Sequence, residues 1–181
     1  MSDNEDMPPI GVVLHDEDAG CDELLTSFAT SLRDVGCDIG GLVQKSIKRP
    51  DGRSDMFLID IRTGQTFGIS QPLGQGSDSC CLDPGGLAEA SGVLRREIEH
   101  GVALLVINKF ASAESDGRGL VPEMFEAISR GIPVLTALSR RYRSQWDALT
   151  GGAGEMLKSD PSELHRWWAA VASRDSAPCP A

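Results

Sequence analysis

The chain predicts an α/β domain, a three-layer sandwich around a mainly parallel sheet, and three observations predict it. Short, mostly apolar runs recur at residues 10–14, 104–107 and 134–138, the pattern of strands buried on both faces. Longer segments between them repeat their apolar residues at helical spacing. A Gly-Ile-Pro step at residues 131–133 leads from helix back to strand, the rhythm of a βαβ chain.

Each element follows from local chemistry. Residues 1–9 read as a disordered acidic leader, residues 10–173 as a single α/β domain and residues 174–181 as a loose tail. The first strand ends at His15. Residues 22–35 form a helix burying Leu24, Leu25, Phe28, Ala29 and Leu32, with Gly36 as its stop. Residues 39–46 are a second strand in which Gly40 and Gly41 permit close packing. Residues 56–61 and 65–70 flank Arg62-Thr63-Gly64 as a β-hairpin, an antiparallel extension of the sheet.

The stretch from residue 71 to 83 is rich in Gly, Ser and Pro, a candidate lid with the vicinal pair Cys80-Cys81 at its end. Asp83 as N-cap and Pro84 at the first turn start a helix running to His100. Further helices are expected over residues 121–130 and 142–149, the latter packing Trp146 inward, with a glycine-rich connector at 150–154. A last helix from Ser159-Asp160-Pro161 through Ala172 caps the core with Leu164, Trp167, Trp168 and Val171.

Bulk properties narrow the function. The 181 residues are enough for one sizeable core, and 17 Lys and Arg against 27 Asp and Glu give a formal charge of −10. That charge argues against non-specific binding to nucleic acid or an anionic membrane. No apolar run approaches the roughly 20 residues that span a bilayer, and the acidic start is unlike a secretory signal, so a cytoplasmic location is expected. Five cysteines without CxxC spacing argue against a disulfide framework, and three scattered histidines against a metal site.

The central stretch is residues 101–120, GVALLVINKFASAESDGRGL. Ligands of open α/β sheets settle outside the carboxyl ends of such strands, which here carry Asn108 and Lys109. Laid on a parallel sheet, the strand ends collect His15, Gln44, Lys45, Asn108, Lys109, Ser139, Arg140 and Arg141, and the loop adds Arg118. Such donors are what an oxyanion needs. The predicted ligand site is Asn108, Lys109, Arg118, Gln44, Lys45 and Arg140, with backbone N–H groups at Gly117 and Gly119 orienting the anion.

Nucleotide hydrolysis is harder to place. A Walker-type loop needs GxxxxGK[ST], whose amides, Lys and hydroxyl hold phosphates and magnesium. The segment at residues 15–23 has one glycine, no lysine and five carboxylates, which repel a triphosphate. Glu114 and Asp116 are the weak candidates for catalysis or for magnesium.

Several segments together carry a resemblance: GGLVQ at 40–44, IDIRTGQTFGISQPLG at 59–74, CCLDPGGLAEA at 80–90, LLVINKF through GRGL at 104–120 and GIPVLTAL at 131–138. They resemble an uncharacterised bacterial family of NTPase-like domains, often encoded near molybdate-transport genes and distantly similar to the P-loop nucleoside-triphosphatase family. The resemblance covers most of residues 10–170. It implies a Rossmann-like, P-loop NTPase-like fold with residues 104–108 as the Walker B strand. The chain departs from active relatives in lacking the Walker A residues and in carrying Asn108 where hydrolases have an acid. In the family's CxLD pattern Cys80, Leu82 and Asp83 match, while Cys81 stands at a position often basic. The gene neighbourhood points to molybdate or tungstate as the oxyanion.

Three readings follow from the sequence. The first is a non-hydrolysing domain that binds a small oxyanion or phosphorylated ligand. The second is a divergent nucleotide phosphohydrolase, which would require magnesium as cofactor. The third is a regulatory module that docks a protein partner or a second copy of the chain, through the acidic first loop or an exposed apolar patch at Trp167 and Trp168.

Overall fold

The computed structural model describes residues 7–16, 20–71, 82–175 and 179. One seven-stranded sheet runs through the molecule in the order β4-β3-β2-β5-β6-β1-β7. Its five parallel members are β1 (Ile10–His15), β2 (Ile39–Lys48), β5 (Leu104–Val106), β6 (Val134–Ser139) and β7 (Glu155–Lys158). The hairpin β3 (Ser54–Asp60) and β4 (Thr66–Gly68) adds to β2 antiparallel, as the sequence predicts.

Alternation along the strands sends neighbouring residues to opposite layers. Val12, Leu105 and Leu138 pack under α2 (Pro84–His100), α4 (Val121–Ser129) and α5 (Arg143–Thr150). Val13, Leu104, Val106 and Ala137 pack under α1 (Cys21–Asp34) and α6 (Pro161–Asp175). This is the three-layer α/β sandwich expected. A short helix, α3 (Ser112–Ser115), lies in the loop after β5.

Local signals placed most ends correctly. The Asp83 carboxylate accepts from the Gly85 amide, and Pro84 opens α2. Trp167 and Trp168 are buried as caps of the α1/α6 layer, so the exposed patch imagined around them does not exist. Gly11 makes room for this cap, since a Cβ there would stand 2.8 Å from the Trp167 ring.

Two expectations need correction. Cys37 and Cys179 form a disulfide across 142 residues, although cysteine spacing argued against one. Spacing fails here because the bond joins the turn after α1 to the chain beyond α6, two places that only the fold brings together. The segment expected to be loose from residue 174 thus holds the end of α6 and this crosslink. The sequence reading also missed β7, a four-residue edge strand in which only Leu157 is fully buried. Its identity as a strand comes from its pairing with β1. The candidate lid, including Cys80 and Cys81, falls mostly outside the described residues.

At the end of the sheet opposite the candidate site, charged side chains tie the hairpin to α2. Buried Glu97 accepts from both Arg62 and Arg96, and fully buried Asp60 accepts from Arg96, the Thr63 hydroxyl and the Arg62 amide. Gly40 allows this approach, because a Cβ would fall 2.3 Å from Glu97 Oε2. Burial raises the Asp60 carboxyl, but the donors from Thr63, Arg96 and Arg62 outweigh it and hold the group below its ordinary value of 3.8. A depressed carboxylate contributes stability above its unfolded pKa and loses it as pH falls through the folded value. Asp60→Asn is therefore expected to cost about 2 kcal/mol at neutral pH, and the cost should shrink in denaturation curves taken below pH 3.8.

Candidate functional site

At the carboxyl ends of β2 and β5, four side chains form one chain of contacts. Asp22 stands in the first turn of α1, directly after the segment that joins it to β1. Lys109 Nζ lies 3.3 Å from Asp22 Oδ1, and both side chains are nearly covered, at 9% and 14% exposure. Gln44 Nε2 donates to Asp22 Oδ2 at 3.3 Å and reaches the Ser46 hydroxyl at 3.4 Å. Asn108 Nδ2 donates to Gln44 Oε1 at 2.7 Å, and the Thr136 hydroxyl donates to the Asn108 carbonyl at 3.3 Å.

The negative charge of Asp22 sets the direction of this relay. A carboxylate only accepts, so Gln44 must turn its amide nitrogen toward Asp22 and its oxygen toward residue 108. Residue 108 must then donate, which asparagine does and an ionised aspartate cannot. The acid of an active hydrolase is incompatible here with the Asp22–Gln44 contact. Asn108 Oδ1, at the far end, is buried without a hydrogen-bond partner among the described residues.

The remaining predicted ligands go elsewhere. Arg118 is exposed and its guanidinium pairs with Asp116 at 3.0 Å. Arg140 pairs with Asp16 at 2.6 Å, and Lys45 is exposed. The Gly117 amide, expected with that of Gly119 to face an anion, instead donates to the Glu114 carbonyl, and the Arg118 amide donates to the Ala113 carbonyl, closing the turn after α3. His15 and Ser139 are buried register partners on β1 and β6. The structure thus unites Gln44, Asn108 and Lys109 but holds Arg118 and Arg140 on local carboxylates.

Glu114 has a structural role in its loop. Its two oxygens accept from the amides of Ala111 at 3.1 Å and Leu120 at 3.2 Å. Burial pushes its carboxyl above the ordinary range, with those amides opposing the shift. Gly119, at φ +64°, is needed because a Cβ there would lie 2.1 Å from Glu114 Oε1. Behind Asn108, Glu114 and Thr136 lies a cavity of about 10 Å³, room for one water. A larger hollow of about 420 Å³ lies at the other end of the sheet, beside Ile10, residues 150–155, Trp167 and Arg174.

Sequence reasoning placed Asp22 at the start of the first helix but missed it as the partner of Lys109. The signal was present: an acid in the first helical turn after β1, opposite the one lysine at the end of the central strand. Among the described residues, no three His, Cys, Asp or Glu side chains group to hold a metal ion, and no helix is long and apolar enough to cross a membrane.

Comparison with known proteins bears on the family and the fold. The family model described as protein of unknown function (DUF2478) matches residues 10–167. The chain belongs to the DUF2478 family. This DUF2478 chain is also 41% identical over 166 residues to "Molybdenum import ATP-binding protein ModC 2" of Bradyrhizobium diazoefficiens. The match takes in 91% of the chain but only 18% of that relative's length. In three dimensions the chain is similar to a human cancer-related nucleoside triphosphatase solved in solution, with a TM-score of 0.64 at 13% identity, covering 93% of this chain and 98% of the other. The fold of the DUF2478 chain is therefore NTPase-like, mainly parallel with an antiparallel hairpin.

Proposed function

We propose that this domain is a non-hydrolysing, NTPase-like module that holds a small oxyanion or phosphorylated ligand at the carboxyl ends of β2 and β5. The observation that carries the reading is the nearly buried Lys109 ammonium at that edge, beside the Gln44 and Asn108 amides. A cation and amide donors at a strand-end rim suit an oxyanion better than an apolar ligand. The absence of Walker A residues and the use of Asn108 speak against hydrolysis. Glu114 is committed to two backbone amides and Asp116 to Arg118, so neither is disposed to hold magnesium. Likeness to a molybdenum importer makes molybdate and tungstate the first anions to try.

Calorimetric titration with molybdate, tungstate, sulfate and phosphate is the test. Saturable heat is expected with at least one of them, lowered at least about tenfold in affinity by Lys109→Ala. Binding that survives Lys109→Ala unchanged would overturn the reading. So would silence with all four anions, both in the native chain and with Asp22 neutralised as described next.

A further inference from the structure

The rim that this function would use is already filled by the chain's own carboxylate. Asp22 receives the Lys109 ammonium on one oxygen and the Gln44 amide on the other, in the first turn of a 14-residue helix whose dipole also favours negative charge. An ammonium, a primary amide and a helix start are the groups a bound oxyanion would recruit. Resting on the oxyanion reading, we propose that Asp22 is a built-in competitor, an internal anion that caps the site until an external oxyanion displaces it from Lys109 and Gln44.

Geometry favours an exchangeable cap. Both contacts are 3.3 Å long, against about 2.7–2.9 Å for a tight charge-assisted hydrogen bond. A tetrahedral oxyanion can shorten both contacts at once, since it is not tethered to α1. The cavity behind Asn108 has room only for a water, whereas the Asp22 carboxylate occupies the position where the Lys109 ammonium and the Gln44 amide converge. The same exchange explains how an acidic protein could hold an anion: the incoming charge replaces one already present.

The test compares wild type, Asp22→Asn and Asp22→Ser by calorimetric titration with phosphate, sulfate and molybdate, with circular dichroism melts confirming that each chain is folded. Neutralising Asp22 is expected to tighten anion binding by at least about tenfold, and adding Lys109→Ala to Asp22→Asn should abolish the gain. If wild type binds through Lys109 and neither Asp22 variant binds more tightly, the competitor role is wrong while the oxyanion reading stands. If no folded chain binds any anion, both fail. A silent wild type with binding in an Asp22 variant supports both. Asp22→Ser provides the second arm should Asp22→Asn fail to fold.

Discussion

Gly41→Ala should abolish folding or reduce stability by more than about 4 kcal/mol, an effect far outside the usual range for adding one methyl group. Gly41 sits in β2 at φ +122°, a conformation that side chains rarely adopt, so a substitution there is strained before any contact is considered. A Cβ would also fall 1.9 Å from the Val106 carbonyl oxygen and 2.8 Å from the Val106 carbon and nitrogen. Those atoms are backbone and cannot rotate away. Gly41 pairs with Val106 on one side, while its carbonyl accepts from the Ile61 amide on the other. Relief of the clash would separate β2 from β5, and with it Gln44 from Asn108. Denaturant titration of the variant checks this, and a midpoint equal to wild type would refute it.

Trp146→Ala is the second large loss, expected at about 3–5 kcal/mol in the same measurement. The indole is fully buried, meets the Phe110 ring edge-on at 5.3 Å, and donates to the Ala153 carbonyl at 2.9 Å. That one side chain fixes α5, the segment after β5 and the approach to β7. Removing it leaves a large cavity and an acceptor without its donor. Trp146→Phe separates the two contributions: it should recover most of the packing but not the hydrogen bond, and cost on the order of 1 to 2 kcal/mol. A loss for Trp146→Phe as large as for alanine would place the main contribution in the hydrogen bond.

Much of the layered architecture was legible because it rests on local rules. The apolar runs that became β1, β5 and β6, the Asp83-Pro84 helix start and the hairpin around Arg62-Thr63-Gly64 each depend on residues close in sequence. Gly40-Gly41 was legible as a point of close approach, though not the reason for each glycine: Glu97 faces the first and the Val106 backbone the second. The strand β7 was not legible, since residues 155–158 carry no alternating pattern and become a strand only beside β1.

The candidate site divides in the same way. Sequence alone determined that Asn108 and Lys109 follow the central strand, that Gln44 lies on the second, and that the first loop lacks the residues of a Walker A motif, because strand position and residue chemistry follow from the local chain. Only the tertiary structure decided which charges meet. Asp22 lies 87 positions before Lys109, Arg118 turned to Asp116, and Cys37 found Cys179. For Asp22 with Lys109 and Cys37 with Cys179 the pairing depends on distances of a few ångströms between parts of the chain far apart in sequence, and those distances are fixed by the packing of the elements and by nothing written beside either residue.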